Sequence, residues 1–215
     1  MYETILFDLD GTIIDSEEGI INSAIYALSK FGINAENRAS LKRFIGPPLH
    51  KSFELFYGFS VEKAALAVDI YREYYAEKGV FECTRYPDME TLFKRLKQAG
   101  KTLVLATSKY EYFAKIILEH FALDKYFDLV AGSTKNGERS AKADAISYVL
   151  DSMDLTDKSK VLMIGDKMHD IVGASTVGID SIGVLYGFGS YNELSENGAT
   201  HIAKNAEDIY RVITA

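Results

Sequence analysis

Apolar residues recur along this chain in two rhythms. Short runs rich in β-branched residues fall at positions 4–7, 102–106, 129–131, 161–164, 181–184 and 201–203, and these read as strands. Around them, apolar positions return every three or four residues, which predicts helices over 89–99, 110–121, 141–152 and 169–176. Gly100, just beyond the first of these, stands where a left-handed carboxyl cap is expected. Strands alternating with helices imply an α/β fold built on a parallel sheet with helices over both faces.

One interval breaks the alternation. Between 16 and 81 the pattern is helical throughout: Ile21, Ala24, Ile25 and Leu28 share a helical face, Gly32 can end that helix, and 61–75 reads as another long one. The expected organisation is a catalytic core from 1–15 and 82–215, interrupted after its first strand by an all-helical domain over 16–81. Pro47-Pro48, after Gly46, stops a helix and predicts an exposed loop, which by itself reads as a linker between helices.

Composition narrows the classes. A hydrophobic fraction of 47% with 26% charged residues and three prolines describes a chain that folds into a globule. The net charge of -7 disfavours a nucleic acid polymer as partner. Cys83 is the sole cysteine, so no intrachain disulfide or cysteine-rich metal site can form. Met1-Tyr2-Glu3-Thr4 runs straight into a strand, with no basic segment and no apolar run long enough for a bilayer. The expectation is a cytoplasmic protein with no membrane partner.

In an open parallel sheet, ligands bind beyond the carboxyl ends of the strands. The first strand is followed there by Asp8, Asp10 and Gly11, the second by Thr107, Ser108 and Lys109, and the fourth by Gly165-Asp166 with Asp170 four residues on. A hard divalent cation such as Mg²⁺ takes oxygen ligands, and Asp8, Asp166 and Asp170 can supply carboxylates whose charges would otherwise repel. A hydroxyl at Thr107, the amide of Ser108 and a nearby ammonium suit phosphate oxygens, and carboxylate attack on phosphate gives an acyl phosphate. Taken singly, Asp and Gly after a strand are ordinary turn residues. Thr107-Ser108 alone reads as a helix amino cap, and Asp166 and Asp170 as a turn residue and a solvated helix residue. Their conjunction on one sheet edge favours chemistry.

At these residues the sequence resembles the haloacid dehalogenase-like hydrolase superfamily, in particular its phosphatases with a helical cap domain inserted after the first strand of a Rossmann-like core. Asp8-Leu9-Asp10-Gly11-Thr12 resembles the first motif and Ala106-Thr107-Ser108 the second. Lys142 matches the third, and Gly165-Asp166-Lys167-Met168-His169-Asp170 the fourth. The resemblance implies Asp8 as nucleophile and Asp10 as general acid and base, its carbonyl also on Mg²⁺. Gly11, Thr107 and the Ser108 amide would hold the phosphoryl group, Lys142 would bridge it to Asp8, and Asp166 and Asp170 would complete the metal site. Ala143 follows Lys142 where the family often has proline, and Lys135 is a competitor nearby. Lys109, Lys167 and His169 are given no catalytic role.

The second acid favours phosphate esters over halides, because halide leaves without a proton. Gly46-Pro47-Pro48-Leu49 resembles the specificity loop of phosphoglycolate phosphatase-like and 5'-nucleotidase-like relatives, while Gly132-Ser133, Gly137, Arg139 and Lys142 look more like the nucleotidase branch. Arg139 reads equally as a phosphate contact and as a solvated arginine. The implied protein is a Mg²⁺-dependent phosphomonoesterase for a small phosphorylated metabolite, as a monomer or homodimer. A phosphosugar mutase, or a phosphate-sensing protein without turnover, is the alternative.

Overall fold

All four residues of β1 (Thr4–Phe7) are buried, as a strand covered on both faces requires. In the computed structural model, which describes residues 1–35 and 37–215, the further strands are β2 (Ile14–Asp15), β3 (Thr84–Arg85), β4 (Thr102–Tyr110), β5 (Leu129–Ser133), β6 (Val161–Gly165), β7 (Asp180–Val184) and β8 (His201–Ala203). Six of them form one sheet in the order β5-β4-β1-β6-β7-β8, every described pair parallel. Phe7 stands opposite Leu105 on one side and Ile164 on the other, so the end of β1 lies level with Leu105 of β4 and Ile164 of β6.

The chain divides into two compact units, Met1–Asp15 with Arg85–Ala215, and Ser16–Thr84. Helices α1 (Glu17–Lys30), α2 (Leu49–Tyr57) and α3 (Val61–Tyr74) belong to the second. The first holds α4 (Met89–Gln98), α5 (Glu111–His120), α6 (Lys142–Ser152), α7 (Met168–Val177), α8 (Tyr191–Glu196) and α9 (Ala206–Thr214).

The alternation of side chains along β1 builds the two halves of the first unit's core. Leu6 points to one face, where it joins Val104, Ala106 and Met163 from neighbouring strands, Ile146 and Val149 from α6, and Ala174 from α7. Phe7 meets Phe93 of α4 edge-on at 5.1 Å between ring centroids, and Phe93 meets Phe127 at 5.2 Å. Met89, Leu92, Phe93 and Leu96 are the buried stripe of α4, the spacing of one helix face. Each such large side chain, fully buried, contributes roughly 1.5–3 kcal/mol.

In the second unit α1 buries Ile20, Ile21, Ala24, Ala27 and Leu28, and Gly32 follows it in the left-handed conformation. The aromatic rings of Phe44, Phe53 and Phe59 cluster, with Phe53 and Phe59 stacked at 5.9 Å. Ser60 caps α3 by accepting from the Lys63 amide. Gly46 and Pro47 lie in the bend between Phe44 and α2, which Pro48 opens. Among the described residues, no strand falls between Glu17 and Gly79.

Three features differ from the sequence reading. β4 does not stop at 106 but continues to Tyr110, with its register on β5 shifting between Ala106 and Tyr110. The two-residue β2 and β3, at the points where the chain crosses between units, are too short to show an alternating pattern. α8 and α9 lie outside the helices expected from the sequence, although Ser190 and Asn205 cap them through their side chains.

Candidate active site

The carboxyl end of β1 sets the site. The Asp8 amide donates to the Ile164 carbonyl at 2.9 Å, so Asp8 extends the strand by one residue before the chain turns. The turn is tight: the amides of Thr12, Ile13 and Ile14 all donate to the Leu9 carbonyl. Gly11 makes it with φ +80, and a Cβ there would collide with the Asp166 carboxylate. Gly165 meets Asp170 as closely, so α7 begins directly against the end of β6. Asp170, in the first turn of α7, accepts from the Lys167 amide at 3.1 Å, and the helix amino terminus favours its charge.

These backbones bring Asp8, Asp166 and Asp170 together, with a ligand oxygen of each within 4.8 Å of the others. Lys142, the first residue of α6, reaches into the group from the side. Its Nζ stands 2.7 Å from Asp8 Oδ1 and 2.9 Å from Asp170 Oδ1, and it donates to the Ala106 carbonyl at 3.1 Å. Its stem lies against Gly173 of α7. Lys135, by contrast, is exposed in the loop before α6. Burial pushes the Asp8 carboxyl up to about 6, with Lys142 opposing and Asp170 and Asp10 adding to it. Burial first, and then repulsion from Asp170 and Asp8, holds Asp166 well above the usual carboxylate range. Burial works against the Lys142 ammonium, yet the charges of Asp170 and Asp8 outweigh it and raise its pKa.

Three crowded carboxylates facing one ammonium have the chemistry of a cation site. Asp166 Oδ1 is buried with no hydrogen-bond partner among the described residues, a costly state unless something binds it. All these donors are hard oxygens, which fits Mg²⁺.

Thr107 is buried on β4, and its Oγ1 accepts from the Lys109 amide at 3.2 Å; Ser108 between them is partly buried. Asp10 stands apart from the other three acids. Both its oxygens face Lys109 Nζ, at 2.9 and 3.0 Å. Arg139 has φ 59; its guanidinium pairs with Glu111 at 3.2 Å and lies over the Tyr148 ring at 4.1 Å. Its contacts thus run to α5 and α6 and not to the aspartates. Gly46 and Pro47 belong to the other unit.

Two contributors were missed in the sequence. Lys109 carries no catalytic role in the sequence reading, although it directly follows Thr107-Ser108. The loop after β7 carries no residue of the sequence-predicted site, yet the Phe188 amide donates to Asp166 Oδ2 at 2.7 Å and the Tyr186 hydroxyl to the Thr12 carbonyl at 3.0 Å. A Cβ at Gly187 or Gly189 would strike Asp166, so the glycines let this loop close over it. The Gly187-Phe188-Gly189 spacing after a strand was the available signal.

An open parallel sheet with acids and a buried lysine at its carboxyl edge defines a class of ligand-binding α/β enzymes. A family model for haloacid dehalogenase-like hydrolases matches residues 5–184, and the chain belongs to that family. A 5'-nucleotidase of Pseudomonas aeruginosa is 42% identical over 212 residues, 99% of this chain and 96% of the relative. The tyrosine-protein kinase PtkA of Mycobacterium tuberculosis is 32% identical over 205 residues, 95% of this chain and 69% of the relative. The crystal structure of a predicted phosphatase from Clostridium acetobutylicum superposes with a TM-score of 0.96 at 45% identity, covering 100% of this chain and 99% of that one.

Proposed function

We propose that the protein is a Mg²⁺-dependent phosphomonoesterase that works through a phosphoryl group carried on Asp8. The observation behind this reading is the division of the acids: Asp8 lies with Asp166, Asp170 and Lys142, whereas Asp10 lies on a separate branch of the same turn. A nucleophile needs the charged cluster, and a proton carrier needs to be near but outside it.

In the proposed sequence, an Asp8 oxygen attacks phosphorus and the bond to the ester oxygen breaks. Asp10 gives its proton to that leaving oxygen. Water then attacks phosphorus, Asp10 takes the water's proton, and the bond to Asp8 breaks to release inorganic phosphate. Thr107, the Ser108 amide, Gly11 and Lys142 are assigned to the phosphoryl oxygens. Asp8, Asp166, Asp170 and the Asp10 carbonyl are assigned to Mg²⁺, which would neutralise phosphoryl charge when bound.

The assigned substrate is a small phosphate ester, with a nucleoside 5'-monophosphate first because of the 42% identical 5'-nucleotidase, and 2-phosphoglycolate second. The helical unit, as a cap with Gly46 and Pro47 in its specificity loop, is assigned the choice between them; Arg139 is assigned a supporting place beside the phosphate loop. None of the described helices is long and apolar enough to cross a membrane, and with Cys83 as sole cysteine we place the enzyme in the cytoplasm.

The test is phosphate release from AMP, 2-phosphoglycolate and p-nitrophenyl phosphate with Mg²⁺, by wild type and Asp8→Asn. Loss of at least 10³-fold in kcat/KM on every ester is expected, the scale set by removing a nucleophile. Full activity of the variant sinks the mechanism. Transfer of phosphate to a tyrosyl peptide instead of to water would move the protein toward the kinase relative.

A further inference from the structure

We propose that Lys109 is a positioning residue: it fixes the direction of the Asp10 carboxylate for proton exchange with the leaving-group oxygen. The inference rests on the reading of Asp10 as general acid and base, and deepens it.

Asp10 needs such a partner. It sits in the turn between Asp8 and Ile14, where the Gly11 amide donates to the Ile14 carbonyl and the Thr12, Ile13 and Ile14 amides to the Leu9 carbonyl, so these amides are already spent on backbone. A carboxylic acid rotates about two side-chain bonds, and proton transfer requires it within hydrogen-bond reach of one oxygen. Lys109 Nζ lies 2.9 and 3.0 Å from the two Asp10 oxygens, with side-chain exposures of 8% for Lys109 and 16% for Asp10. A charge-assisted contact to both oxygens fixes the carboxylate plane better than a single bond.

The fold places Lys109 there by a specific device. β4 pairs with β5 through Ala106 with Ala131, and next through Tyr110 with Ser133, so β4 carries two extra residues in that interval. Bulges of this kind re-aim side chains, and they recur beside active sites. Here the swollen segment is Thr107-Ser108-Lys109. It keeps the Ala106 carbonyl on Lys142 while sending the next lysine to Asp10. Gly132 of β5 makes room for it: a Cβ there would lie 2.7 Å from the Lys109 carbonyl oxygen and 2.7 Å from the Glu111 Cα.

The two lysines therefore divide the site. Lys142 contacts Asp8 and Asp170, the nucleophile and a metal ligand under the proposed function. Lys109 contacts Asp10. A lysine that served the phosphoryl group would affect all esters alike. One that acts through Asp10 matters in proportion to how much the leaving oxygen needs a proton: strongly for an alkyl phosphate, weakly for p-nitrophenyl phosphate.

The experiment measures kcat and KM with Mg²⁺ on AMP and p-nitrophenyl phosphate for wild type, Lys109→Gln, Lys109→Arg, Asp10→Asn and the Lys109→Gln/Asp10→Asn double variant. Lys109→Gln is expected to lose at least tenfold more kcat on AMP than on the aryl ester, with KM changed less than threefold. Lys109→Arg should recover most of that difference, and the double variant should be no worse than Asp10→Asn, because both changes remove one function. Gly132→Ala, which retains the ammonium and disturbs its backbone, should show the same ester dependence in weaker form. Equal losses on the two esters, or additive losses in the double variant, overturn the proposal. If Asp10→Asn discriminates between esters and Lys109→Gln does not, the Lys109 inference alone fails. If Asp10→Asn itself does not discriminate, the role of Asp10 fails and this inference with it.

Discussion

Gly11 and Asp166 occupy adjoining space that leaves no room for a Cβ: one added to Gly11 would overlap the Asp166 carboxylate. The turn after β1 is thus built to the dimensions of an acid arriving from β6, and the left-handed φ of +80 is part of the same constraint.

Gly11→Ala is accordingly expected to be costly twice over. Strain at a left-handed position is on the order of 1–3 kcal/mol, and the collision must displace Asp166 or the turn. Urea denaturation should show a lower midpoint, and activity should fall by more than the folded fraction explains. A variant with wild-type activity contradicts the close fit.

The raised carboxyl of Asp8 makes a prediction about pH. Its ordinary value of 3.8 rises to about 6 in the folded protein, mainly through burial. Between those values the folded state binds the proton more tightly than the unfolded one, so this group's contribution to stability falls as pH rises from about 4 to about 6 and then levels off. Metal-free unfolding midpoints of wild type and Asp8→Asn should therefore differ by an amount that shifts against the wild type across that window. A difference independent of pH contradicts the burial of a titrating Asp8.

Removal of metal should be visible without any turnover. If Mg²⁺ binds the aspartate cluster, saturating ion at about 100 times its Kd stabilises the fold by about 2.7 kcal/mol. The shift in Tm between Mg²⁺ and EDTA should be largest above pH 6, where Asp8 is ionised, and should vanish in Asp166→Asn. An equal shift in that variant places the ion elsewhere.

Lys142→Gln leaves Asp8 and Asp170 without their shared cation. Breaking a buried ion pair on one side costs on the order of 3–5 kcal/mol, so Tm in EDTA should drop sharply, with partial recovery on adding Mg²⁺. Lys135→Gln, on an exposed lysine, should change neither Tm nor kcat by much. Reversal of the two results would transfer the role to Lys135.

Phe93→Ala separates fold from chemistry. It removes the ring that meets both Phe7 and Phe127, at a cost of about 3–5 kcal/mol, and leaves every aspartate of the site in place. Lower denaturant midpoints with KM unchanged are expected. A changed KM would mean that packing beneath β1 sets the site.

What could be read from the sequence depended on how local the signal was. The buried run of β1 and the run of five buried residues in β6 announce themselves, and their parallel arrangement with the acids that follow puts Asp8 and Asp166 on one edge. The three- and four-residue spacing of the α4 stripe was equally plain. Lys109 was legible as a charge but not as the partner of Asp10, because that contact depends on a bulge defined only by pairing with β5. The Phe188 amide on Asp166 was hidden for another reason: a backbone donor has no residue type to recognise. Lys142 was legible as the ammonium beside Asp8 from its place in the third motif, and its stem is seated against Gly173 on a different helix. Residue identities thus carried the acids and Lys142, while tertiary pairing brought Lys109 to Asp10.

The central claim is that Asp8 carries the phosphoryl group. Acyl phosphates are reduced by borohydride to the corresponding alcohol, so rapid quenching during turnover of p-nitrophenyl phosphate with Mg²⁺, followed by borotritide reduction and peptide mass spectrometry, locates the carrier. Label converted to homoserine at position 8 is the expected result. Label at any other residue would contradict the account.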